Sequence, residues 1–238
     1  MTSQTALPSD DSSKRNFKFL TLLTVLNVTF QLISDVTAGK IISVAGIGVS
    51  ITVLYFPATY IMGDILTEVY GYSRARQVVW LTLLASVIAG ISYQVVAIFP
   101  PASFFTADEA YRTVFFTVPR ILLGGWIAVF LGDITNDFIL AKLKVWSNGR
   151  HLWARLIGST IGGQFVNTVV FYLIGLYGIL PGSLLIQGMA VGWFIKTLVE
   201  FVMLPITYVV VRRLKAIEKI DYYDRDTNFN PFVVTSSK

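Results

Sequence analysis

Residues 76–99, RQVVWLTLLASVIAGISYQVVAIF, form an apolar run whose only charged residue is the first one. As an α-helix with a rise of 1.5 Å per residue, the run would be about 36 Å long. The hydrocarbon core of a bilayer is about 30 Å thick, so this stretch alone can cross it. The run therefore predicts a transmembrane helix.

The composition of the whole chain also indicates a membrane protein. Hydrophobic residues make up 54% of the 238 residues and charged residues 14%, whereas soluble domains have about 45–50% and about 25%. Too few charges are left to cover a soluble core, which excludes a disordered chain, a coiled coil and an ordinary cytosolic enzyme. The chain has no cysteine and one histidine, so disulfides, thiolate sites and multi-histidine metal sites are excluded and no cofactor is expected.

Five further apolar stretches of similar length accompany residues 76–99. The predicted fold class is therefore all-α, a polytopic membrane protein with six transmembrane helices and the lipid bilayer as its surroundings. The spans are predicted at 17–38, 50–69, 76–99, 119–141, 153–177 and 188–211. They define a transmembrane domain over 17–215, between a disordered cytosolic tail at 1–16 and a cytosolic tail at 216–238.

Two connections between the spans have a recognisable pattern. Residues 39–49 are apolar and rich in glycine, which is typical of either a re-entrant turn or a short external hairpin. Residues 100–118 begin with two prolines and contain TADE at 106–109, a spacing like that of a capping box. This second connection predicts a loop that leads into a short helix.

Basic residues predict the orientation, because lysine and arginine concentrate in cytoplasmic loops. With the N-terminus inside, fifteen of the nineteen basic residues lie on the cytoplasmic side, whereas Lys40, Arg112 and Arg120 lie outside. Both termini are therefore predicted to be cytoplasmic. The net charge of +5 then reflects topology, and nucleic acid is not expected as a partner.

The spans contain polar side chains that are costly in a bilayer. A carboxylate near the bilayer centre costs about 2.5–3.5 kcal/mol, so each one is a functional candidate. The charged residues within or at the edge of the spans are Asp35, Asp64, Glu68, Asp133, Asp137, Lys196 and Glu200. The uncharged polar residues that accompany them are Asn27, Gln31, Gln94, Asn136, Gln164 and Asn167.

Several of these residues recur at the same helical spacing. Residues 63–68, GDILTE, align with residues 132–137, GDITND, and each motif places two carboxylates four positions apart on one helix face. The sixth span carries Lys196 and Glu200 at the same spacing. The pattern favours three pseudo-repeated helical hairpins around a central site, an arrangement that transporters use.

Each candidate also has a structural interpretation. Carboxylates near the cytoplasmic ends of their helices could form interfacial ion bridges, and Lys196 could neutralise Glu200. Gln164 and Asn167 could hold helices together through hydrogen bonds. The basic residues within reach of the carboxylates are Arg74, Arg76, Lys142 and Lys144.

Two kinds of chemistry use intramembrane carboxylates. One is enzymatic, with paired acids that bind a divalent metal in a phosphotransferase or act as an aspartyl protease. The phosphotransferase pattern needs an Asp-Gly dipeptide and the protease pattern needs Gly-x-Gly-Asp, and the sequence contains neither. The other is solute recognition, in which a carboxylate accepts hydrogen bonds from two parallel N–H groups of a guanine-like edge. An amide side chain then donates a hydrogen bond to the carbonyl oxygen, and an aromatic side chain such as Tyr60 stacks on the ring.

Residues 55–76, YFPATYIMGDILTEVYGYSRAR, closely resemble the signature of the bacterial queuosine-precursor transporters, also called the vitamin-uptake-transporter family. The resemblance covers about residues 17–215 and continues through Pro119-Arg120, 132–142, 162–167 and 194–205. It implies six transmembrane helices and import of 7-cyano-7-deazaguanine or 7-aminomethyl-7-deazaguanine across the inner membrane for the synthesis of queuosine in tRNA.

Together with the chemistry of the spans, the resemblance predicts a central site for a 7-deazaguanine base as the small-molecule substrate. The candidate substrate-binding residues are Tyr60, Asp64, Glu68, Asp133, Asp137, Gln164, Asn167, Lys196 and Glu200. Asp133 or Glu200 is expected to meet the N1–H and 2-amino groups of the base, and Gln164 or Asn167 its carbonyl edge.

The sequence leaves the energy source open. Proton coupling through a buried carboxylate, facilitated diffusion followed by metabolic trapping, and a role as the substrate-binding component of an ATP-driven system are the three alternatives. Pro57 and Pro205 are predicted hinges and Pro119 a helix start. Gly158 and Gly162, four residues apart, allow close helix packing and leave a homodimer open.

Overall fold

The computed structural model describes residues 17–37, 40–44, 47–51, 55–116, 119–178 and 182–233. Within these ranges the chain forms seven α-helices and one two-stranded β-hairpin. The elements are α1 (Leu20–Thr37), β1 (Ile41–Val44), β2 (Ile47–Ser50), α2 (Phe56–Tyr70), α3 (Tyr72–Ile98), α4 (Asp108–Phe115), α5 (Pro119–Trp146), α6 (Leu152–Phe171), a π-helical turn (Tyr172–Leu176) and α7 (Gly182–Glu218). The tail predicted to be disordered, residues 1–16, lies outside the described residues.

Five of these helices are long and apolar enough to cross a membrane: α1, α3, α5, α6 together with the π-helical turn, and α7. Their positions confirm five of the six predicted spans. Large apolar side chains are more than half exposed along them, including Leu81, Ile88, Leu123 and Phe201. Such side chains are stable where they contact lipid chains instead of water. The described chain is therefore built as a multi-pass membrane protein.

The second predicted span, 50–69, differs from the prediction. Its helix, α2, has 15 residues, so it is about 22 Å long and too short to cross the bilayer alone. The β-hairpin that precedes it ends at Ser50, which pairs with Ile41. Residues 41–50 are rich in isoleucine and valine, whose β-branched side chains favour strands. A hairpin is thus confirmed over a re-entrant turn, and elsewhere in the described ranges the fold is helical.

Although it is short, α2 lies at the centre of the helix bundle. It contacts α1, α3, α5 and α7, and Ile65, Val69 and Tyr70 are fully buried. Gly71 makes a one-residue turn into α3 with a φ of +88°, a conformation that glycine adopts without strain. The GDILTE motif of residues 63–68 is therefore surrounded by protein.

Two glycines set the distance between α5 and α6. A Cβ atom on Gly132 would lie 2.6 Å from the Cβ of Asn167, and one on Gly163 would lie 2.7 Å from the Cβ of Asn136. Only glycine therefore permits this spacing, as in other closely packed membrane helices. The close approach brings the polar residues of the GDITND motif on α5 next to those of α6.

The short helix predicted within residues 100–118 is confirmed as α4. It packs on the end of α3, where the rings of Tyr93 and Phe115 stack with centroids 5.2 Å apart. The amide nitrogen of Gln94 also donates to the carbonyl oxygen of Phe115 at 3.0 Å. This end of the bundle is aromatic.

The three prolines considered as helix starts or hinges fall at different positions. Pro119 is the first residue of α5, as predicted. Pro57 lies in the first turn of α2, where a proline removes no helical hydrogen bond, so it does not interrupt a helix. Pro205 lies inside α7 and is the hinge candidate among the three.

The opposite end of the bundle gathers helix ends and basic residues. Glu218, the last residue of α7, accepts hydrogen bonds from the Phe19 N–H at 2.9 Å and from the Tyr70 hydroxyl at 3.0 Å. The start of α1, the end of α2 and the end of α7 therefore meet here. We call it the basic end, after Arg74, Arg76, Lys144, Arg155 and Lys215.

Candidate substrate-binding site

Eight of the nine predicted site residues lie together in the bundle. Asn136, which is not one of the nine, lies with them. They come from four helices, and we call this group the central polar cluster. Its members are Tyr60 and Asp64 on α2, Asp133, Asn136 and Asp137 on α5, Gln164 and Asn167 on α6, and Lys196 and Glu200 on α7. All are buried except Asp133 and Lys196, which are partly buried.

The two Gly-Asp motifs face each other across α2 and α5. The amide nitrogen of Asn136 donates to Asp64 Oδ1 at 2.9 Å, and the hydroxyl of Thr67 donates to Asp137 Oδ1 at 2.7 Å. Each motif thus supplies one donor and one carboxylate to the other. The motifs that aligned in sequence are therefore in direct contact.

The opposite wall of the cluster is formed by α6 and α7. Lys196 Nζ donates to Asn167 Oδ1 at 2.9 Å and is attracted electrostatically to Asp133 on α5. The ammonium group therefore joins α7 to α6 and faces the carboxylate of Asp133 on α5. Glu200, one turn further along α7, faces Thr160 and Gln164 of α6.

Several oxygen atoms of the cluster are buried without a hydrogen-bond donor among the described residues. They are Asn136 Oδ1, Asp137 Oδ2, Gln164 Oε1 and both carboxylate oxygens of Glu200. Thr160 and Gln164 lie beside Glu200, but neither donates to it with hydrogen-bond geometry. A buried group left unpaired costs about 1–3 kcal/mol. The cluster is therefore rich in acceptors and complementary to a ligand that presents N–H groups.

Two small cavities adjoin the cluster. One is lined by residues that include Asp64, Thr160 and Glu200, and the other by residues that include Asp133 and Asp137. Each has a volume of about 10 Å³, measured as the space open to the centre of a water-sized sphere. This is room for about one water molecule. Small-molecule sites usually measure about 300–1,000 Å³. The helices around the cluster must therefore separate before a small molecule can enter.

Glu68 is the predicted site residue that lies apart from this cluster. It receives two hydrogen bonds from Arg155, at 2.6 and 3.2 Å, and one from Lys215 at 2.6 Å. Lys144 lies 3.6 Å from its carboxylate and donates to its backbone oxygen at 2.6 Å. These contacts match the ion-bridge interpretation, with Lys144 as the one partner that the sequence suggested.

The basic end continues this ion network. Asp221, just after α7, lies 2.5 Å from Lys144 Nζ and 2.8 Å from Lys215 Nζ. Its pKa is influenced first by burial, which raises it, but hydrogen bonds from the two lysines outweigh burial and lower the pKa below the ordinary value. Asp221 is thus ionised at neutral pH and shares both lysines with Glu68.

Sequence reasoning treated Asn136 as a polar neighbour, not as a site residue. Its position between Asp133 and Asp137 in the GDITND motif is the signal that places it in the site. Thr67 and Thr160 carried no such signal, since threonine is common in transmembrane helices. Within the ranges that the structure describes, no group of three acidic, histidine or cysteine residues is arranged to hold a metal ion.

Comparison with known proteins places the chain in a family. The family described as "Putative vitamin uptake transporter" matches residues 50–210, about two thirds of the chain. A Bacillus subtilis protein named "Probable queuosine precursor transporter" is 26% identical over 170 residues, which are 71% of this chain and 74% of that protein. A Haemophilus influenzae protein of the same name is 24% identical over 127 residues, 52% of this chain and 50% of that protein. No solved structure matches the chain.

The family match includes α2, α5 and α6 and most of α7, the helices that carry the central polar cluster. A transporter family agrees with the five helices long and apolar enough to cross a membrane. The chain therefore belongs to the vitamin uptake transporter family.

Proposed function

We propose that this protein imports a 7-deazaguanine base, a queuosine precursor, and that the central polar cluster binds it. The observation that carries this proposal is the set of five buried oxygen acceptors to which no described residue donates. A guanine-type base presents N–H groups at its ring nitrogens and at its 2-amino group. Such a ligand supplies donors to oxygens that receive none from the described residues.

Glu200 is the best match for the edge of the base that carries N1–H and the 2-amino group. In the described part of the chain no hydrogen bond reaches either of its buried carboxylate oxygens, so it can accept two parallel hydrogen bonds. Asp133, the other carboxylate considered for this role, is instead attracted to Lys196. The ammonium group of Lys196 is a donor that suits the carbonyl oxygen of the base.

The family and the relatives support transport over the enzymatic alternatives. Both relatives are named as queuosine precursor transporters, and the family is one of uptake transporters. We propose an inner-membrane protein with its basic end in the cytoplasm, because cytoplasmic loops are rich in lysine and arginine. In this arrangement α2 lies in the sixth crossing, and both termini are cytoplasmic.

A homodimer is not part of this proposal. Gly158 and Gly162, one of the glycine pairs that leave a homodimer open, face α5 within the same chain. A Cβ on Gly158 would meet Leu143, and one on Gly162 would meet Ile139. The two glycines therefore serve the packing of α5 against α6. Proton coupling, facilitated diffusion and an ATP-driven system stay alternatives as the energy source of transport.

The proposal is tested by calorimetric titration of the purified protein in detergent with 7-cyano-7-deazaguanine and 7-aminomethyl-7-deazaguanine. Glu200→Gln should weaken binding by a factor of about 10 to 100, since a hydrogen bond to a charged group contributes about 1.5–3 kcal/mol. Glu109→Gln on α4, which makes the same change at an exposed position, is the matched control. Absence of binding to the unmodified protein, or equal affinity in Glu200→Gln, contradicts the proposal.

A further inference from the structure

The segment after α7 folds back onto the helix bundle. We call residues 219–233 the C-terminal strap. Near its start, the carboxylate of Asp224 accepts the backbone N–H of Tyr72, with its two oxygens 3.1 and 3.2 Å away, and also the hydroxyl of Thr227 at 2.7 Å. Asp224 is buried, so this part of the strap is anchored to the start of α3.

Beyond this anchor the strap runs along α3. The guanidinium of Arg76 donates to the carbonyl oxygens of Asn228 and Asn230, at 2.8 and 2.6 Å. One turn further, the indole nitrogen of Trp80 donates to the carbonyl oxygen of Pro231 at 2.8 Å. The strap therefore makes side chain-to-backbone bonds at two successive turns of the helix.

The same residues of the strap also contact α5. The ring of Phe229 lies 5.3 Å from that of Phe138, and Lys142 Nζ lies 4.0 Å above it. The ring of Phe232 lies 6.5 Å from that of Phe130 and 6.4 Å from that of Trp80 on α3. Residues 228–232 thus cover the line where α3 meets α5, and we call this line the α3–α5 seam.

The seam is a wall of the central polar cluster. One of the two small cavities is lined by Val79 of α3 and by Asp133 and Asp137 of α5. Val79 packs against Phe130 and Ile134 to close the seam, with Trp80 against them. Phe130 precedes Asp133 by less than one helical turn. The end of the strap therefore lies at nearly the same level along the helix axes as the central polar cluster.

The depth of the strap follows from helix geometry. Trp80 is eight residues beyond Tyr72, the first residue of α3, which corresponds to about 12 Å along the helix axis. A tail confined to the helix ends would make no contact at this depth. The strap instead reaches from the basic end to within a turn of the candidate binding residues.

We propose that the C-terminal strap is the cytoplasmic gate of the transporter and that substrate leaves through the α3–α5 seam. The inference rests on the proposed function, because it assigns a path to the substrate of that site. Separation of α3 from α5 breaks contacts that residues 228–232 make with both helices at once. The strap is suited to release, since Asn228, Asn230 and Phe232 are exposed whereas Asp224 holds its base.

Cysteine cross-linking tests the gate, because the chain has no cysteine of its own. Phe138→Cys and Phe229→Cys together place thiols on α5 and on the strap across the seam. The pair is joined in detergent with a reducible bifunctional reagent, and the protein is then placed in liposomes. We expect uptake of the 7-deazaguanine to fall at least tenfold and to recover after reduction, while binding in detergent is retained.

The matched control joins the start of the strap to α3 outside the seam. The Arg74 guanidinium lies 5.9 Å from the ring of Tyr222, so Arg74→Cys with Tyr222→Cys accepts the same reagent. This cross-link leaves residues 228–232 able to move, and uptake should be unchanged. Equal uptake with and without the seam cross-link overturns the gate, as does an equal loss with both cross-links.

The readouts separate this inference from the proposed function. If no variant binds the base in detergent, the proposed function fails and the gate has no substrate. If binding is intact and the seam cross-link does not slow uptake, the proposed function stands and the gate is wrong. The single variants Phe138→Cys and Phe229→Cys, treated with the same reagent, show the effect of losing each ring alone.

Discussion

Asn136 donates its amide hydrogen to Asp64 across the interface between α2 and α5, with 2.9 Å between Nδ2 and Oδ1. This bond connects the GDILTE motif with the GDITND motif. It gives the buried carboxylate of Asp64 a neutral hydrogen-bond donor, the amide of Asn136. The amide oxygen of Asn136 is left without a donor among the described residues. One side chain therefore both fixes the helix pair and offers an acceptor to a ligand.

Replacement of Asn136 by alanine should destabilise the protein. Asp64 would lose the hydrogen-bond donor that faces it, at a cost of about 1–3 kcal/mol for a buried acceptor. At about 2–4 °C per kcal/mol for a chain of this size, the melting temperature in detergent should fall measurably. Thr135→Ala, which removes a hydroxyl bonded only to the preceding turn of α5, is the control and should melt like the unmodified protein.

Gly163→Ala should separate α5 from α6. The added methyl would lie 2.7 Å from the Cβ of Asn136 and 3.0 Å from the carbonyl oxygen of Gly132, so one of the helices must move. Overpacking of this kind costs about 1–3 kcal/mol. Thermal unfolding measures the loss, and base binding should weaken with it because Asn136 is displaced.

The control for that change is Gly125→Ala, at a helical glycine of α5 where an added Cβ would meet no described atom of a neighbouring element within 4 Å. Alanine is the better helix former by about 1 kcal/mol, so this variant should be as stable as the unmodified protein or more stable. If both glycine variants unfold at the same temperature, the close packing of Gly163 does not matter for stability.

Glu68→Gln should affect stability more than substrate affinity. The change leaves Arg155, Lys215 and Lys144 without the carboxylate that they share, and loss of one partner of a buried ion pair costs about 3–5 kcal/mol. The amount of folded protein after purification and its melting temperature report this loss. Titration of the folded fraction with the base should give the affinity of the unmodified protein. A selective loss of affinity would instead place Glu68 in the binding site.

Acid should weaken the basic end through Asp221. Because the lysines lower the pKa of this carboxyl in the folded protein, its contribution to stability is present above the pKa of the unfolded chain. That contribution disappears as the pH falls through the folded pKa, in the range below about pH 4. Asp221→Asn should show a smaller loss of melting temperature between pH 6 and pH 3 than the unmodified protein. Parallel curves for the two proteins would contradict this assignment.

Much of the fold follows from sequence patterns that depend on local composition. The five long spans are continuous apolar runs, so hydropathy locates them within a few residues. The predicted span at 50–69 begins too early, since β2 ends at Ser50 and α2 begins only at Phe56. Hydropathy does not distinguish an apolar β-branched strand from the start of an apolar helix. A strand partner at residues 41–44 decides the outcome, and that partner is a tertiary feature of the chain.

The candidate site was predictable where polar residues stand out against an apolar helix. Asp64, Asp133, Gln164, Asn167, Lys196 and Glu200 are all conspicuous in this way, and the structure brings them together. The surroundings of Glu68 depend on Arg155, which is 87 residues away along the chain. The position of the strap depends on aromatic and backbone contacts of residues 228–232, which carry no apolar periodicity. Neither arrangement can be read from local spacing.

The acceptor-rich lining has a consequence for the transport cycle. Without a ligand, the closed cluster keeps oxygens of Glu200 and Gln164 buried with no hydrogen bond from the residues that the structure describes, and a bound base relieves that penalty. Reorientation of the loaded protein should then be easier than return of the empty one. Such an asymmetry makes exchange faster than net uptake, so liposomes preloaded with unlabelled base should take up labelled base faster than empty ones. The five unsatisfied oxygens thus favour a carrier that reorients with its substrate bound over a continuously open pore.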